Sequence, residues 1–187
     1  MRNEMPKKVD HDAYRLELAQ KAAVLFSEHG YSGLGMRNIA SELGISKSAL
    51  YHYFPTKQDL FIACTKVATD FSQFKPETRV EENVADSPEK KIHALFQMLP
   101  TMEASFPNEL SLLVDYLRTS SSKDVANDES RQIAKANYLE LIGQHVNKEN
   151  ETPVLCLVLG TLLLRYFDGS TTKFEEIESW LLKLLEN

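Results

Sequence analysis

The chain has 187 residues, 43% hydrophobic and 26% charged, with a formal net charge of −6. One or two domains of that size bury a core without disulfide or metal staples, and the balance excludes a disordered tail, a collagen and a mucin. The two cysteines, Cys64 and Cys156, are too few and too distant for a zinc cluster or a secreted disulfide scaffold. The start, MRNEMPKKVDHD, lacks the apolar stretch of a signal peptide. The longest apolar run, Val154 to Leu164, falls well short of the roughly 20 residues a membrane span needs. The expectation is a soluble, cytoplasmic protein with no membrane partner.

The charge is uneven. Residues 1–64 carry eight Lys/Arg and seven Asp/Glu, whereas residues 65–187 carry 13 and 20. Charges more than about 8–10 Å apart are largely screened at cellular salt. A basic surface in the first third can therefore hold a polyanion despite an acidic remainder.

In chain order, Leu18, Ala22, Leu25 and Phe26 keep helical spacing and predict a helix over 12–29, with Gly30 as its stop. Met36, Ile39, Ala40 and Leu43 predict a short helix over 36–43, ended by Gly44. Ser46 is placed to cap a third helix over 47–53 that buries Leu50 and Phe54. Pro55 then breaks the chain. Thr56 to Asp59 has the form of a capping box, opening a long helix to about Lys75. Loops are expected over 76–88 and 119–124. Further helices are expected over 88–104, 107–120, 125–147, 153–168 and 173–186, with Pro100 and Pro107 as breaks. No alternating strand is visible. The chain reads as all-α, with about nine helices.

Residues 36–54 form a short helix, a glycine turn and a second short helix, the plan of a helix-turn-helix. Leu43, Ile45 and Leu50 make the shared apolar wedge, and Ala40 permits a close crossing. The outward face then offers Lys47, Ser48, Tyr51 and His52, groups of the size that enters a major groove. The same pattern also occurs in compact helical proteins that bind no DNA. Tyr53 fits either core or a phosphate contact. Lys57, in the first turn of the next helix, opposes the helix dipole, a position easier to accept beside a phosphate.

The longer stretch from Leu18 to Phe61, LAQKAAVLFSEHGYSGLGMRNIASELGISKSALYHYFPTKQDLF, resembles the N-terminal domain of TetR-family transcriptional regulators. The resemblance rests on Ala22 with Leu25-Phe26, Gly30-Tyr31, Arg37, Ile39-Ala40, Leu43-Gly44-Ile45-Ser46, Leu50-Tyr51, Tyr53-Phe54, Lys57 and Leu60, at gapless spacing. It implies DNA contacts at Arg37, Ser46, Lys47, Ser48, Tyr51, His52, Tyr53 and Lys57. Gly35 departs from the family, which usually carries a hydroxyl there. It also implies a homodimer on a palindromic operator, and a helical body whose small-molecule effector weakens DNA binding.

The expected architecture is therefore a helix-turn-helix domain over 1–56 and a helical ligand-binding and dimerisation domain over 57–187. The last two helices carry the apolar surface expected between subunits: Leu157, Gly160, Thr161, Leu164, Trp180, Leu181 and Leu184. A helix buried within one subunit fits the same pattern. Phe71, Phe74, Phe96, Met102, Tyr116 and Tyr138 fit a pocket lining, although such stripes are more often plain core. Arg118 and Arg165 fit an anionic anchor less well than snorkelling or pairing with an acid. Cys64 and Cys156 are expected as inert core cysteines. No GxSxG, phosphate-binding glycine loop or HExxH occurs, so no catalytic residues, metal or cofactor are expected. The function read from the sequence is a repressor released by an unidentified effector. The second reading is a DNA-anchored helical protein that binds a protein partner and no effector.

Overall fold

The computed structural model describes residues 10–71, 87–119 and 128–185. Among these are eight α-helices and no strand: α1 (His11–Gly33), α2 (Met36–Glu42), α3 (Lys47–Tyr53), α4 (Lys57–Ala68), α5 (Pro88–Thr119), α6 (Glu129–Gly143), α7 (Glu151–Asp168) and α8 (Phe174–Leu185). A 3-10 turn, Lys148–Asn150, precedes α7. The loops expected over 76–88 and 119–124 fall almost wholly outside the described residues. No helix among the described residues is long and apolar enough to cross a membrane.

Short polar side chains start the early helices. The Asp10 carboxylate accepts from the N–H groups of Asp12 and Ala13, and Ser46 Oγ accepts from Ala49 N at 3.1 Å. At α4 the capping box forms in both directions: Thr56 Oγ1 accepts from Asp59 N at 3.0 Å, and Asp59 Oδ2 accepts from Thr56 N at 2.9 Å. Each cap satisfies N–H groups that have no partner inside the helix, a contribution of about 1 kcal/mol.

Gly30 interrupts α1 where a stop is expected: its φ of 73° and ψ of 164° are non-helical and kink the chain, and one further turn runs on to Gly33. Pro100 and Pro107, however, do not divide the next segment, since both lie inside the single 32-residue α5. An interior proline removes one hydrogen bond and crowds the carbonyl a turn earlier, at about 3 kcal/mol. Across and before these positions α5 buries Ile92, Leu95, Phe96, Met98, Leu99 and Met102. At about 1.5–3 kcal/mol per large apolar side chain, that continuous face outweighs the two defects.

The buried side chains form two separate clusters. The first holds Leu18, Ala22, Phe26, Ile39, Leu50, Phe54, Leu60, Phe61 and Cys64, drawn from α1 to α4. The second holds Ile92, Leu95, Leu99, Leu141, Ile142, Val154, Val158, Leu162 and Leu181, drawn from α5 to α8. The division expected between residues 56 and 57 cuts through the first cluster, because α4 is one of its walls. The cysteines also part company. Cys64 is buried, its thiol donating to Ala19 O at 3.3 Å, and burial pushes it up to about 12. Cys156 is exposed on α7, so it is not a core residue.

Candidate nucleic-acid interface

The reading element is built on a turn only four residues long. Gly44 takes φ +69°, a conformation that costs glycine nothing and other residues about 1–2 kcal/mol. The turn closes on backbone bonds from Gly44 N to Ser41 O and from Ile45 N to Ala40 O, each 3.0 Å. Leu50 of α3 and Phe54, which follows its last residue, are fully buried beneath it, with Ile39 and Ala40 of α2. Because that face is sunk in the core, the opposite face of α3 is held outward as a rigid ridge.

That ridge carries Lys47, Ser48, Tyr51 and His52, all exposed. The Lys47 ammonium lies 5.5 Å from the Tyr51 ring centroid, which aligns the two side chains one turn apart. Ser46 is exposed at the cap, with Oγ 3.0 Å from Ser48 Oγ. Arg37 is exposed on the first turn of α2, behind Gly35, which caps α2 without a side-chain hydrogen bond. Met36 is buried. Five of the eight residues expected at DNA (Arg37, Lys47, Ser48, Tyr51 and His52) are thus exposed side chains on α2 and α3.

Tyr53 and Lys57 are placed differently. Tyr53 is half-buried: its hydroxyl hydrogen-bonds His11 Nδ1 at 2.9 Å, and its ring meets Tyr14 edge-on at 5.4 Å. Lys57 turns inward, donating from Nζ to the Tyr31 carbonyl with its ammonium 4.2 Å from the Tyr31 ring centroid. Burial lowers the Lys57 pKa, against the opposing pull of Asp115. This geometry gives its awkward first-turn position a partner inside the protein. A carbonyl and an aromatic face inside the protein compensate the helix dipole there.

The first turns of α1 add residues that the sequence reading missed. Arg15 Nε donates to Tyr53 O at 3.4 Å, and its guanidinium lies 4.7 Å from the Phe54 ring centroid. His11 sits 6.4 Å from His52, ring to ring. These contacts join positions some 40 residues apart. Only the cationic spacing of His11 and Arg15 on one helical face was visible beforehand.

In the body, Phe96 and Met102 are buried in the second core. Phe71 meets Tyr138 at 4.9 Å, and Tyr138 donates its hydroxyl to Glu109 Oε2 at 3.0 Å. Burial raises the Tyr138 pKa. Phe74 and the side chain of Tyr116 lie outside the described residues. A cavity of about 210 Å³ is lined by Glu103, Phe106, Leu162, Arg165 and Tyr166, and another of about 320 Å³ by Lys91, Ile92, His145, Val146 and Leu185. Neither touches Phe71, Phe96, Met102 or Tyr138. Arg165 pairs with an acid, both its Nε and Nη2 donating to the Glu103 carboxylate at 2.9 Å.

Of the residues expected between subunits, Leu164, Trp180 and Leu184 are about half exposed, at 49%, 53% and 56%. Gly160 is exposed and Leu157 is partly buried. Thr161 and Leu181 turn inward instead. The helical period puts Thr161 on the same side of α7 as Val154, Val158 and Leu162, while Cys156, Gly160, Leu164 and Phe167 share the opposite side.

Residues 18–64 match the family model for bacterial regulatory proteins of the tetR family. The chain is 27% identical to the HTH-type transcriptional regulator PksA of Bacillus subtilis (strain 168), over 98% of this chain and 93% of that protein. It is 28% identical to IcaR of Staphylococcus aureus (strain Newman), a negative transcriptional regulator of the biofilm operon icaADBC, over 67% of this chain and 76% of that one. Among solved structures, the multidrug binding protein EbrR complexed with imidazole superposes with a TM-score of 0.62 at 16% identity, covering 96% of each chain. With its α2–α3 reading element inside the stretch that matches the tetR family model and its whole length similar to a transcriptional regulator, the chain resembles TetR-family proteins and is a DNA-binding transcriptional regulator.

Proposed function

We propose that this protein is a cytoplasmic homodimeric repressor that reads a palindromic operator and leaves it when a small molecule binds its body. The carrying observation is the exposed ridge of Lys47, Ser48, Tyr51 and His52 on α3, with Arg37 beside it, over a buried Leu50–Phe54 floor. Arg37 and Lys47 supply charge for phosphates or guanine edges, and Ser48 and His52 supply groups for base edges. Ser46 and the Tyr53 backbone stand at the two ends of the ridge. Lys57 serves the α1–α4 junction. We assign residues 10–69 to the reading unit and residues 88–185 to the body.

One reading unit makes few contacts, and non-specific affinity per module is weak. Two units held about 34–36 Å apart read two half-sites on one face of the duplex. The face formed by Cys156, Gly160, Leu164 and Phe167 of α7 with Trp180 and Leu184 of α8 supports this. Phe167 is 74% exposed, an unusual cost for a large apolar side chain unless a second copy covers it. Repression is supported by the likeness to IcaR, a negative regulator. An effector is supported by the shared fold with EbrR, a multidrug binding protein.

Selection from random duplexes at about 0.15 M salt tests this reading. A palindrome is the expected product, with sedimentation giving twice the chain mass. Recovery of no motif, or a monomer bound to a single half-site, refutes it.

A further inference from the structure

The two cores are separate, yet among the described residues two side-chain hydrogen-bonded contacts, beside apolar packing, tie the body to the reading unit. At the first, past the kink at Gly30, the Ser32 N–H donates to Asp115 Oδ2 of α5 at 2.7 Å, and the Ser32 hydroxyl donates to Asp115 Oδ1 at 3.1 Å. One carboxylate thus accepts two bonds from one residue across the junction. At the second, Asn137 Nδ2 of α6 donates to Thr69 Oγ1, just beyond α4, at 2.8 Å. Leu112, one turn before Asp115, packs on the first core.

The backbone at the first point is shaped for the carboxylate. Gly30 has φ +73°, which other residues rarely adopt, and a Cβ there would stand 3.1 Å from Asp115 Oδ2. The neighbouring Tyr31 is fixed in the reading unit, its ring 4.9 Å from Phe61 and 5.8 Å from Phe26. Its carbonyl accepts from Lys57 Nζ, and Lys57 begins α4 four residues after the end of α3. A short covalent and hydrogen-bonded route therefore leads from the Asp115 carboxylate to the reading helix.

Two separated anchors resist rotation where one leaves a pivot. We infer that Asp115 is a positioning residue for operator reading: its clasp on Ser32 fixes the angle of the reading unit on the body and so sets which half-site separation the dimer accepts. This inference rests on the homodimeric reading above. Asp115 has no place on the DNA-facing ridge, and its effect falls on spacing, not on base choice. Without the clasp the reading unit swings about the Thr69 anchor, and the dimer accepts neighbouring separations at lower affinity for the best one.

The test uses the full chain as wild type, Asp115→Ala, Asp115→Asn and Ser32→Ala. Binding is measured to duplexes bearing the selected half-sites, moved apart in single base-pair steps, and to a duplex with one half-site. Amide exchange at Ser32 is followed without DNA. In Asp115→Ala, Ser32 exchanges faster and the preference for the best separation falls about fivefold, a coupling of ordinary size. Binding to one half-site stays unchanged. Asp115→Asn keeps an acceptor for the Ser32 N–H and retains most of the preference, and Ser32→Ala falls between. Unchanged exchange at Ser32 overturns the clasp. Faster exchange with an unchanged spacing profile overturns its role in reading. A wild type with no preferred separation overturns the homodimeric reading and this inference with it, and the exchange data then show whether the clasp itself exists.

Discussion

The reading unit and the body are both helical, and both close around fully buried aliphatic and aromatic side chains, yet they are specified in different ways. In α1 to α4 three of the four helix starts carry a side-chain cap, from Asp10, Ser46 and the Thr56–Asp59 box, and Gly44 makes the turn after α2. In the body, α5 runs through two prolines that local rules read as ends. Its course is set by the partners on its buried face. Where short helices make a rigid head for reading, local signals dominate. Where long helices pack lengthwise, burial overrides them.

The strongest way to break this comparison is to empty one core and watch the other. Phe54→Ala removes a fully buried ring and should destabilise the reading unit by about 3–5 kcal/mol. Urea unfolding followed by near-ultraviolet signals, with specific DNA binding in parallel, should show DNA binding lost while the helices of the body persist. Loss of both regions in one transition would mean that the two cores fold as one.

The body has its own weak point in the Arg165–Glu103 pair, where Arg165 is almost fully buried and also donates to the Thr172 carbonyl. Glu103→Gln leaves that guanidinium without its counter-charge and should cost about 2–3 kcal/mol, less than a fully buried pair because Glu103 is partly solvated. The hydrogen bonds from Arg165 hold the Glu103 carboxyl below its ordinary value of 4.5. The folded state therefore binds fewer protons than the unfolded chain. This contribution is complete above about pH 4.5 and is lost as the pH falls through the lower folded value. Thermal melts of wild type should fall across that acidic range, and those of Glu103→Gln should be flatter. Equal slopes would remove the pair from the acid response.

Within the reading unit, Lys47 and Lys57 make opposite predictions. Lys47→Ala should weaken specific binding by about 1–3 kcal/mol with no loss of stability. Lys57→Ala should lower stability by about 1 kcal/mol, since the Tyr31 carbonyl loses its donor, and leave the salt dependence of binding unchanged. Anisotropy titrations across salt, beside melting curves, separate them. A flatter salt slope in Lys57→Ala would return that lysine to the DNA surface.

The smallest effect is chemical. Cys156, exposed on the single chain but on the face proposed to lie between subunits, should react with a thiol reagent in the dissociated folded chain and be shielded as the dimer forms, while Cys64, with its thiol pushed up to about 12 and buried, should react only after unfolding. Two thiols reacting at one rate would mean that the first core opens freely.

The sequence by itself determined α2 and α3 nearly to the residue, the starts of α1 and α4, the outward face of α3 and the family resemblance, while α4 ends at Ala68, well short of the expected Lys75. Period, caps and the glycine turn are near-neighbour effects, carried within a few positions. The apolar run of α7 and the apolar face of α8 were also legible, but not which residues face inward: Thr161 and Leu181 are buried within the subunit. Only the tertiary structure decided what lies between distant positions. It paired Lys57 with Tyr31, His11 with Tyr53, Glu103 with Arg165 and Asp115 with Ser32, across 26, 42, 62 and 83 residues. No periodicity encodes such a pairing. It exists because folding brings two polar groups within reach of one another, in part-buried places for Lys57 and Arg165 and at the surface for His11 and Asp115.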